Sequence, residues 1–536
     1  MFNLVKHLVI FLTLFCSITL FGNEKEWTVV VYLSSDNNLS EYMSVMLERI
    51  RRVEKSNKIN VIVMYDGKNH NDSLLLHFNG DKEIVLESDV EYDMGDTLTL
   101  SRLISISKKY PAKKMALLLY SHGRGILNVD TDAGVDNGPF KKDKSILKAF
   151  SPDDSQGTYF IEREMTEDLK KSLNGKKIDL LVYNSCLMGN LEVMQTISEI
   201  ANYAIASEYK IVLNPNNVPN EKIAIGVSFS DIVKEISHSP SINPIDLGKE
   251  IIKNYEESYS KFELFMDIRN PEERFASSLS LYDLSKGSEV TKRVGQFLED
   301  FKTMIDDVLT LRKIYQEALT TVKINPMNYI DIGAFLNTIY RATGDERANE
   351  LFNFFKNQYV VDKTILNVSN DSDLIGVSIF FPMAQIVPNH IIEGPDFDFY
   401  ENREVVQFMN LASAIKKYTR RVNENFHIIL SEMAKDYLEN NIVVRFNLQN
   451  NENENIVHMF QLLKISLFAN IVEENYNLLK EYLQLVLKHS KNESIAKYTA
   501  DSVKFIEANL SKLDHNSKEH LQRLINEINQ QQVHTL

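Results

Sequence analysis

Two side chains able to do covalent chemistry stand at the ends of two apolar runs. Lys113-Lys114-Met115-Ala116-Leu117-Leu118-Leu119-Tyr120 leads into Ser121-His122-Gly123, and Lys177-Ile178-Asp179-Leu180-Leu181-Val182-Tyr183-Asn184 leads into Ser185-Cys186. A thiol becomes a strong nucleophile once deprotonated, and an imidazole beside it can take that proton. The two residues are 64 positions apart (186 − 122), so only the fold can make them a pair. Glycine lets the backbone approach a ligand and point its N–H into a site. The N–H groups of Gly123 and Cys186 would then form an oxyanion hole for an acyl-transfer intermediate. A helix starting near Gly189 would place its positive end behind Cys186 and favour thiolate. An isolated His-Gly or a lone Cys says little, whereas apolar run, Ser-His-Gly, apolar run and Ser-Cys in succession says much more.

Near-continuous apolar runs of this length are what strands buried on both faces of a parallel sheet require. In such sheets ligands gather outside the carboxyl ends of the strands, where His122 and Cys186 would both lie. The flanking sequence supplies the rest of an α/β unit. Residues 26–33 form a β-branched first strand that runs into Ser34-Ser35-Asp36-Asn37-Asn38. A capped helix follows from Ser40 with Met43, Met46, Leu47, Ile50 and Val53 on one face. A second strand spans 59–65, a hairpin spans 74–86 through Asn79-Gly80-Asp81, and a helix over 97–109 is stopped by Pro111. Helices at 165–173 and 189–200 bracket the Cys strand, and a strand at 203–207 reaches Glu208. The polar stretch 124–156 reads as a long loop, a feature that in compact domains is normally functional or disordered.

At 536 residues the chain exceeds the roughly 250–300 that one core supports. Residues 1–22 read as a secretory signal: Lys6 is followed by a 14-residue apolar stretch, short of the roughly 20 needed to span a bilayer. A retained anchor is the alternative. Residues 23–240 read as the catalytic domain and 241–424 as a mixed accessory region with strand-like segments at 275–282 and 374–381. Residues 425–536 read as a helical extension with a polar joint at Asn450-Asn451-Glu452-Asn453-Glu454. The net charge of −15, without any long Lys/Arg cluster, argues against nucleic acid or an anionic membrane surface as partner. Removal of the leader removes Cys16, leaving Cys186 as a single thiol with no disulfide to join.

The sequence resembles the clostripain-like cysteine peptidases, which share a fold with caspases, gingipains and legumains. The likeness rests on Leu117-Leu118-Leu119-Tyr120-Ser121-His122-Gly123, on Cys186-Leu187-Met188-Gly189-Asn190-Leu191-Glu192-Val193 and on Ala206-Ser207-Glu208. It is also carried by Val29-Val30-Val31-Tyr32-Leu33 with Asp36-Asn37-Asn38-Leu39 and by Gly376-Val377-Ser378-Ile379-Phe380-Phe381-Pro382. The resemblance implies a caspase-like α/β/α sandwich with a mostly parallel sheet. It implies hydrolysis of protein or peptide substrates by a Cys–His dyad, with His122 as acid–base, Cys186 as nucleophile, no third member and no required cofactor. Such peptidases cleave after Arg or Lys and carry an Asp two positions before the nucleophile. Here that position is Asn184, so Glu208 or another carboxylate is expected to join Asn184 in meeting the substrate's basic side chain. Relatives self-cleave between His and Cys, which points to Lys148-Ala149 or the cluster 141–144, a merely solvated loop being the alternative.

Some relatives depend on calcium. Asp130, Asp132, Asp136, Asp143, Asp153 and Asp154 are hard oxygen donors of the kind Ca²⁺ prefers, although they do not match an EF-hand loop and no metal ligand is assigned. His70, His77, His238 and His390 fall in no ligand spacing and are expected at the surface or satisfied in the core. No Gly-x-Gly-x-x-Gly follows a strand, which sets aside a dinucleotide site. The rival reading is a catalytically silent scaffold that binds a partner through its helical tail. The presence of both His122 and Cys186 argues against it, and Asn184 argues weakly for it.

Overall fold

The computed structural model describes residues 24–123, 125, 150–211, 226–260, 266–267, 270–274, 276–319, 329–368, 371–383, 392, 397, 400–440, 480, 483–484, 486–487, 503–504, 506–507, 510 and 515–533. Nine strands form the central sheet: β1 (Lys25–Ser34), β2 (Ile59–Asp66), β3 (Ser73–Asn79), β4 (Lys82–Val90), β5 (Ala112–Tyr120), β6 (Ile178–Asn184), β7 (Ala201–Ala206), β8 (Ser277–Asp283) and β9 (Val360–Leu366). Their order is β9-β8-β7-β6-β5-β1-β2-β3-β4. The five central strands β7, β6, β5, β1 and β2 are parallel, and the two outer strands on each side are antiparallel.

Alternation along each strand sorts its apolar residues between two cores. Val29, Val31, Leu33, Leu118 and Val182 face α1 (Ser40–Arg52), α5 (Phe229–His238) and α6 (Pro244–Ser260). Val30, Tyr32, Leu117, Leu119 and Leu181 face α2 (Thr97–Ser107), α3 (Glu162–Leu173) and α4 (Leu191–Ile197). This is the α/β/α sandwich with a mostly parallel sheet that the resemblance implied. Trp27, the only tryptophan, is fully buried in β1; its Nε1 donates to the Ile242 carbonyl at 3.3 Å, and the Lys114 ammonium sits 4.8 Å over its ring.

The expected boundary at 240/241 falls between α5 and α6, and the chain beyond it returns to the same sheet as β8 and β9. The sequence reading found β8 but not β9. The expected strand at 374–381 shortens to Ser378–Phe380, which pairs with Tyr329–Asp331 in a separate two-stranded sheet. Met266–Asp267 pairs with Asn270–Arg274 in another small sheet, and the further helices described in this region are α7 (Gly287–Met304), α8 (Val308–Ala318), α9 (Ile332–Thr343), α10 (Glu346–Phe354) and α11 (Glu404–Phe408).

The expected loop 124–156 is ordered at its end, where Phe150–Asp153 pairs with Thr158–Phe160. Residues 126–149 lie outside the described set, as do the leader 1–22 and the joint at 450–454. Of the helical extension, α12 (Leu411–Asn440) buries Ile415, Tyr418, Val422 and Ile429 in the same core as α7, and α13 (His515–Val533) buries Leu521, Ile525 and Ile528 there. No described helix is long and apolar enough to cross a membrane.

Candidate active site

The register of the sheet brings the strand ends that carry His122 and Cys186 side by side. Tyr120 pairs with Asn184 in the parallel β5–β6 ladder, and His122 and Cys186 each lie two residues beyond that pair. Ser185 Oγ donates to the Ser121 carbonyl at 2.7 Å and ties the strand ends together. Gly123 packs against the Cys186 loop so closely that a β-carbon on it would stand 2.4 Å from the Cys186 carbonyl oxygen. Only glycine fits there, and its backbone is thereby held against Cys186.

His122 is partly exposed, and its Nε2 bonds to Asn38 Oδ1 at 2.5 Å. Asn38 sits in the loop after β1, where Asn37 accepts from Leu39 N–H and donates to the Ser34 and Pro152 carbonyls. The sequence reading assigned no partner to the imidazole. The clue lay in the polar run Asp36-Asn37-Asn38 at the carboxyl end of a central strand, the place where such sheets collect functional side chains.

Cys186 is half-buried. Its Sγ accepts from Ile211 N–H at 3.3 Å and donates to the Ile211 carbonyl at 3.8 Å. Burial pushes the thiol up from its ordinary range, and the Ile211 N–H and the Lys210 charge offset part of that rise. Leu187 has a left-handed backbone, φ 61°, between Cys186 and the next helix. A non-glycine residue there stores of order 1 kcal/mol and persists only where its surroundings fix it. They do: Leu187 N–H donates to the Tyr209 carbonyl at 3.1 Å, and Asn190, the side-chain cap of α4, donates to the Leu187 carbonyl at 2.8 Å.

The sequence segments that carried the resemblance but no chemistry converge around this turn. Gly189 N–H donates to the Ser207 carbonyl at 2.7 Å, and Ser378 N–H donates to the Gly189 carbonyl at 3.0 Å. Glu192 Oε1 accepts from Phe380 N–H and from Tyr400 OH, both at 3.1 Å. Asp331 accepts from the N–H groups of Gly333 at 2.7 Å, Ala334 at 3.2 Å, Ile375 at 3.0 Å and Gly376 at 2.7 Å. Glu192 and Asp331 were not singled out from sequence, because their partners are distant in the chain.

The two expected substrate-binding residues stand elsewhere than foreseen. Asn184 is 1% exposed; its Oδ1 accepts from Val227 N–H at 2.9 Å and its Nδ2 donates to the Val227 carbonyl at 3.4 Å. Glu208 is 0% exposed, because β8 covers that edge of β7 and Asp331 lies beside it. Burial first and the Asp331 charge second push the Glu208 carboxyl well up, and burial also raises Asp331, which the N–H groups of Gly376 and Ile375 partly draw back. Lys148 and Ala149 lie outside the described residues, as do Asp130, Asp132, Asp136, Asp143 and His390. His77 is 4% exposed and bonded to Asn60 Oδ1 at 3.3 Å, whereas His70 and His238 are exposed.

A family model described as the Clostripain family matches residues 31–511. Among solved structures, a secreted C11 cysteine protease from Bacteroides thetaiotaomicron called iotapain is 14% identical, with a TM-score of 0.51 over 72% of this chain and 99% of that one. A secreted C11 cysteine protease from the same organism, solved with an irreversible peptide inhibitor, is 18% identical, with a TM-score of 0.49 over 72% of this chain and 99% of that one. An inactive zymogen C11 protease from Parabacteroides distasonis is 18% identical, with a TM-score of 0.47 over 73% of this chain and 99% of that one. No curated protein matches the chain.

Proposed function

Because the chain belongs to the clostripain family of cysteine peptidases, we propose that Cys186 is its nucleophile and His122 its general acid–base. The observation that carries this reading is the pairing of Tyr120 with Asn184, which sets both side chains just beyond adjacent strand ends. In the first step the Cys186 proton passes to His122, and Sγ attacks the scissile carbonyl carbon. The oxygen takes the negative charge against the N–H groups of Gly123 and Cys186. Collapse breaks the C–N bond, His122 gives its proton to the leaving amine, and a thioester remains. Water, giving a proton to His122, then attacks the thioester and frees the acid product and the thiol. Asn38 acts as a positioning residue that orients the imidazole.

Burial pushes the resting thiol up, so the proton leaves to His122 as Sγ attacks rather than beforehand. The substrates are proteins or peptides. With Asn184 neutral and tied to Val227, and Glu208 buried, cleavage after Arg or Lys, Lys148 included, draws its ion pair from a carboxylate other than these two positions. Residues 1–22 direct export, and self-processing between His122 and Cys186 takes place at Lys148-Ala149 or within 141–144.

Labelling with a peptidyl acyloxymethyl ketone, followed by mass spectrometry, tests the core of this reading: adduct on Cys186 in the wild type and none in His122→Ala is expected. Absence of an adduct and of cleavage across a broad peptide library would overturn it in favour of a silent scaffold. The same library reads the preference, and cleavage that avoids Arg and Lys would reject that part. N-terminal sequencing of wild type against Cys186→Ala reads self-processing, with no new terminus in the wild type as the contrary result.

A further inference from the structure

Past the ends of β5 and β6 the chain leaves the ladder, and the loops that carry His122 and Cys186 have to be held by something else. The two-stranded sheet of Tyr329–Asp331 and Ser378–Phe380 meets both of them. On the His122 side, Gly125 has φ 68° and is packed so tightly that a β-carbon on it would stand 2.5 Å from Tyr329 OH and 2.9 Å from Asn190 Nδ2. On the Cys186 side, Ser378 N–H donates to the Gly189 carbonyl at 3.0 Å. Gly125 lies three residues past His122 and Gly189 three residues past Cys186, so this ribbon touches the two loops at equivalent points. Tyr329 and Phe380 stand opposite one another in it with their ring centroids 6.1 Å apart, and Asp331 stands opposite Ser378.

Two buried acids fasten the ribbon. Asp331 is 0% exposed and accepts from the N–H groups of Gly333 and Ala334 at the start of α9 and from those of Ile375 and Gly376, so one side chain ties the first strand to the approach of the second. Ile332 N–H donates to the Val377 carbonyl at 2.9 Å, and Tyr282 OH donates to the Gly376 carbonyl at 2.6 Å, which anchors the same approach to β8. At the far end Glu192, 0% exposed on α4, takes Phe380 N–H and Tyr400 OH on one oxygen. A buried carboxyl group persists only with such donors, and here the donors are the ribbon's own N–H groups and the residues behind it. Proton transfer and nucleophilic attack depend steeply on the distance and alignment of the groups involved. We propose that the ribbon sets the register between the His122 imidazole and the Cys186 thiol, with Asp331 and Glu192 as the positioning residues that lock it. This role rests on the reading of those two side chains as a dyad, to which it adds a third body supplied by the chain beyond β8.

The rate of Cys186 alkylation by iodoacetamide, together with kcat and KM on a fluorogenic peptide, is measured on the full chain for the wild type, Glu192→Ala, His122→Ala and the double variant. His122→Ala is expected to slow alkylation, since the imidazole takes the thiol proton. Glu192→Ala should lower kcat on the order of 100-fold, with KM within about twofold. It should slow alkylation in the wild-type background and not in the His122→Ala background, because its effect runs through the register of the two side chains. Glu192→Gln keeps an oxygen for Phe380 N–H and Tyr400 OH and should recover most of the rate. Tyr400→Phe removes one donor only; it should give a smaller loss with the same dependence on His122, and it carries the test if Glu192→Ala does not fold. Equal slowing in both backgrounds, full activity in Glu192→Ala or Tyr400→Phe, or a Gln variant as slow as the Ala variant would overturn the ribbon's role and leave the dyad standing. Alkylation and turnover indifferent to His122→Ala would strike the dyad, and the positioning role with it.

Discussion

Replacing Asn38 by alanine removes one hydrogen bond from His122 and little else, because Asn38 is itself exposed. A hydrogen bond to a group that becomes charged is worth about 1.5 kcal/mol or more, so kcat should fall roughly tenfold, with KM and the melting temperature nearly unchanged. Steady-state kinetics with a fluorogenic peptide reads this split. Asn184→Asp makes the contrary change. The carboxylate keeps the bond from Val227 N–H but cannot donate to the Val227 carbonyl, and it buries a charge at a 1%-exposed position. A loss of about 2 kcal/mol in urea unfolding is expected, without any gain of selectivity for basic substrates. Glu208→Gln, an isosteric change at a carboxyl that burial pushes toward its neutral form, should change stability by less than about 1 kcal/mol and leave the cleavage preference where it was. Loss of a basic preference in that variant would show that the carboxyl meets substrate after all. From the sequence these two residues looked like open strand ends. What closes them is Val227, 43 positions on, and Ser278, whose Oγ accepts from Glu208 N–H at 3.2 Å, 70 positions on. No local pattern encodes such partners.

At the level of elements, the strands bearing His122 and Cys186 were legible because a strand covered on both faces must be apolar throughout, and Leu117 to Tyr120 and Leu180 to Tyr183 are. β9 was not legible, since Val361, Asp362, Lys363 and Thr364 give an edge strand its mixed character. The turn after Cys186 depends on the elements behind it. Gly189 leaves no room for a β-carbon, which would stand 2.7 Å from Glu208 N and from the Ser207 carbonyl carbon. Gly189→Ala should therefore push the Cys186 turn off β7, costing about 1–3 kcal/mol and nearly all activity. At the start of α3, Glu162 is fully buried and its carboxyl is pushed up to about 7 by burial, with Arg403 offsetting part of the rise. In the unfolded chain the same group has its ordinary value of 4.5. Between those values the folded state holds the proton that the unfolded state has lost, so stability falls as pH rises from 4.5 to 7. Glu162→Gln should remove that slope and be the more stable protein at pH 8 by up to about 3 kcal/mol, with no advantage at pH 4. Urea midpoints at the two pH values check it.

For the molecule as a whole, the boundaries suggested by composition are less informative than the sheet. The chain leaves it after β7, builds α5 and α6, and comes back to it twice before the long helices begin, so the two outer strands β8 and β9 belong with the five parallel ones. The later helices share the core of α2, α3 and α4, whereas α1, α5 and α6 close a second core on the opposite face. Trp27 sits in that second core, sealed by the Ile242 carbonyl and the Lys114 ammonium. Optically this gives the chain a single indole emitter, placed on the first central strand and away from α12 and α13. Fluorescence excited at the red edge, where tyrosine is silent, therefore reports melting of the sheet alone. Far-ultraviolet dichroism, dominated by helices, reports the rest. Where the two traces separate during unfolding, the gap measures how independently the C-terminal helices come apart from the sheet that carries His122 and Cys186.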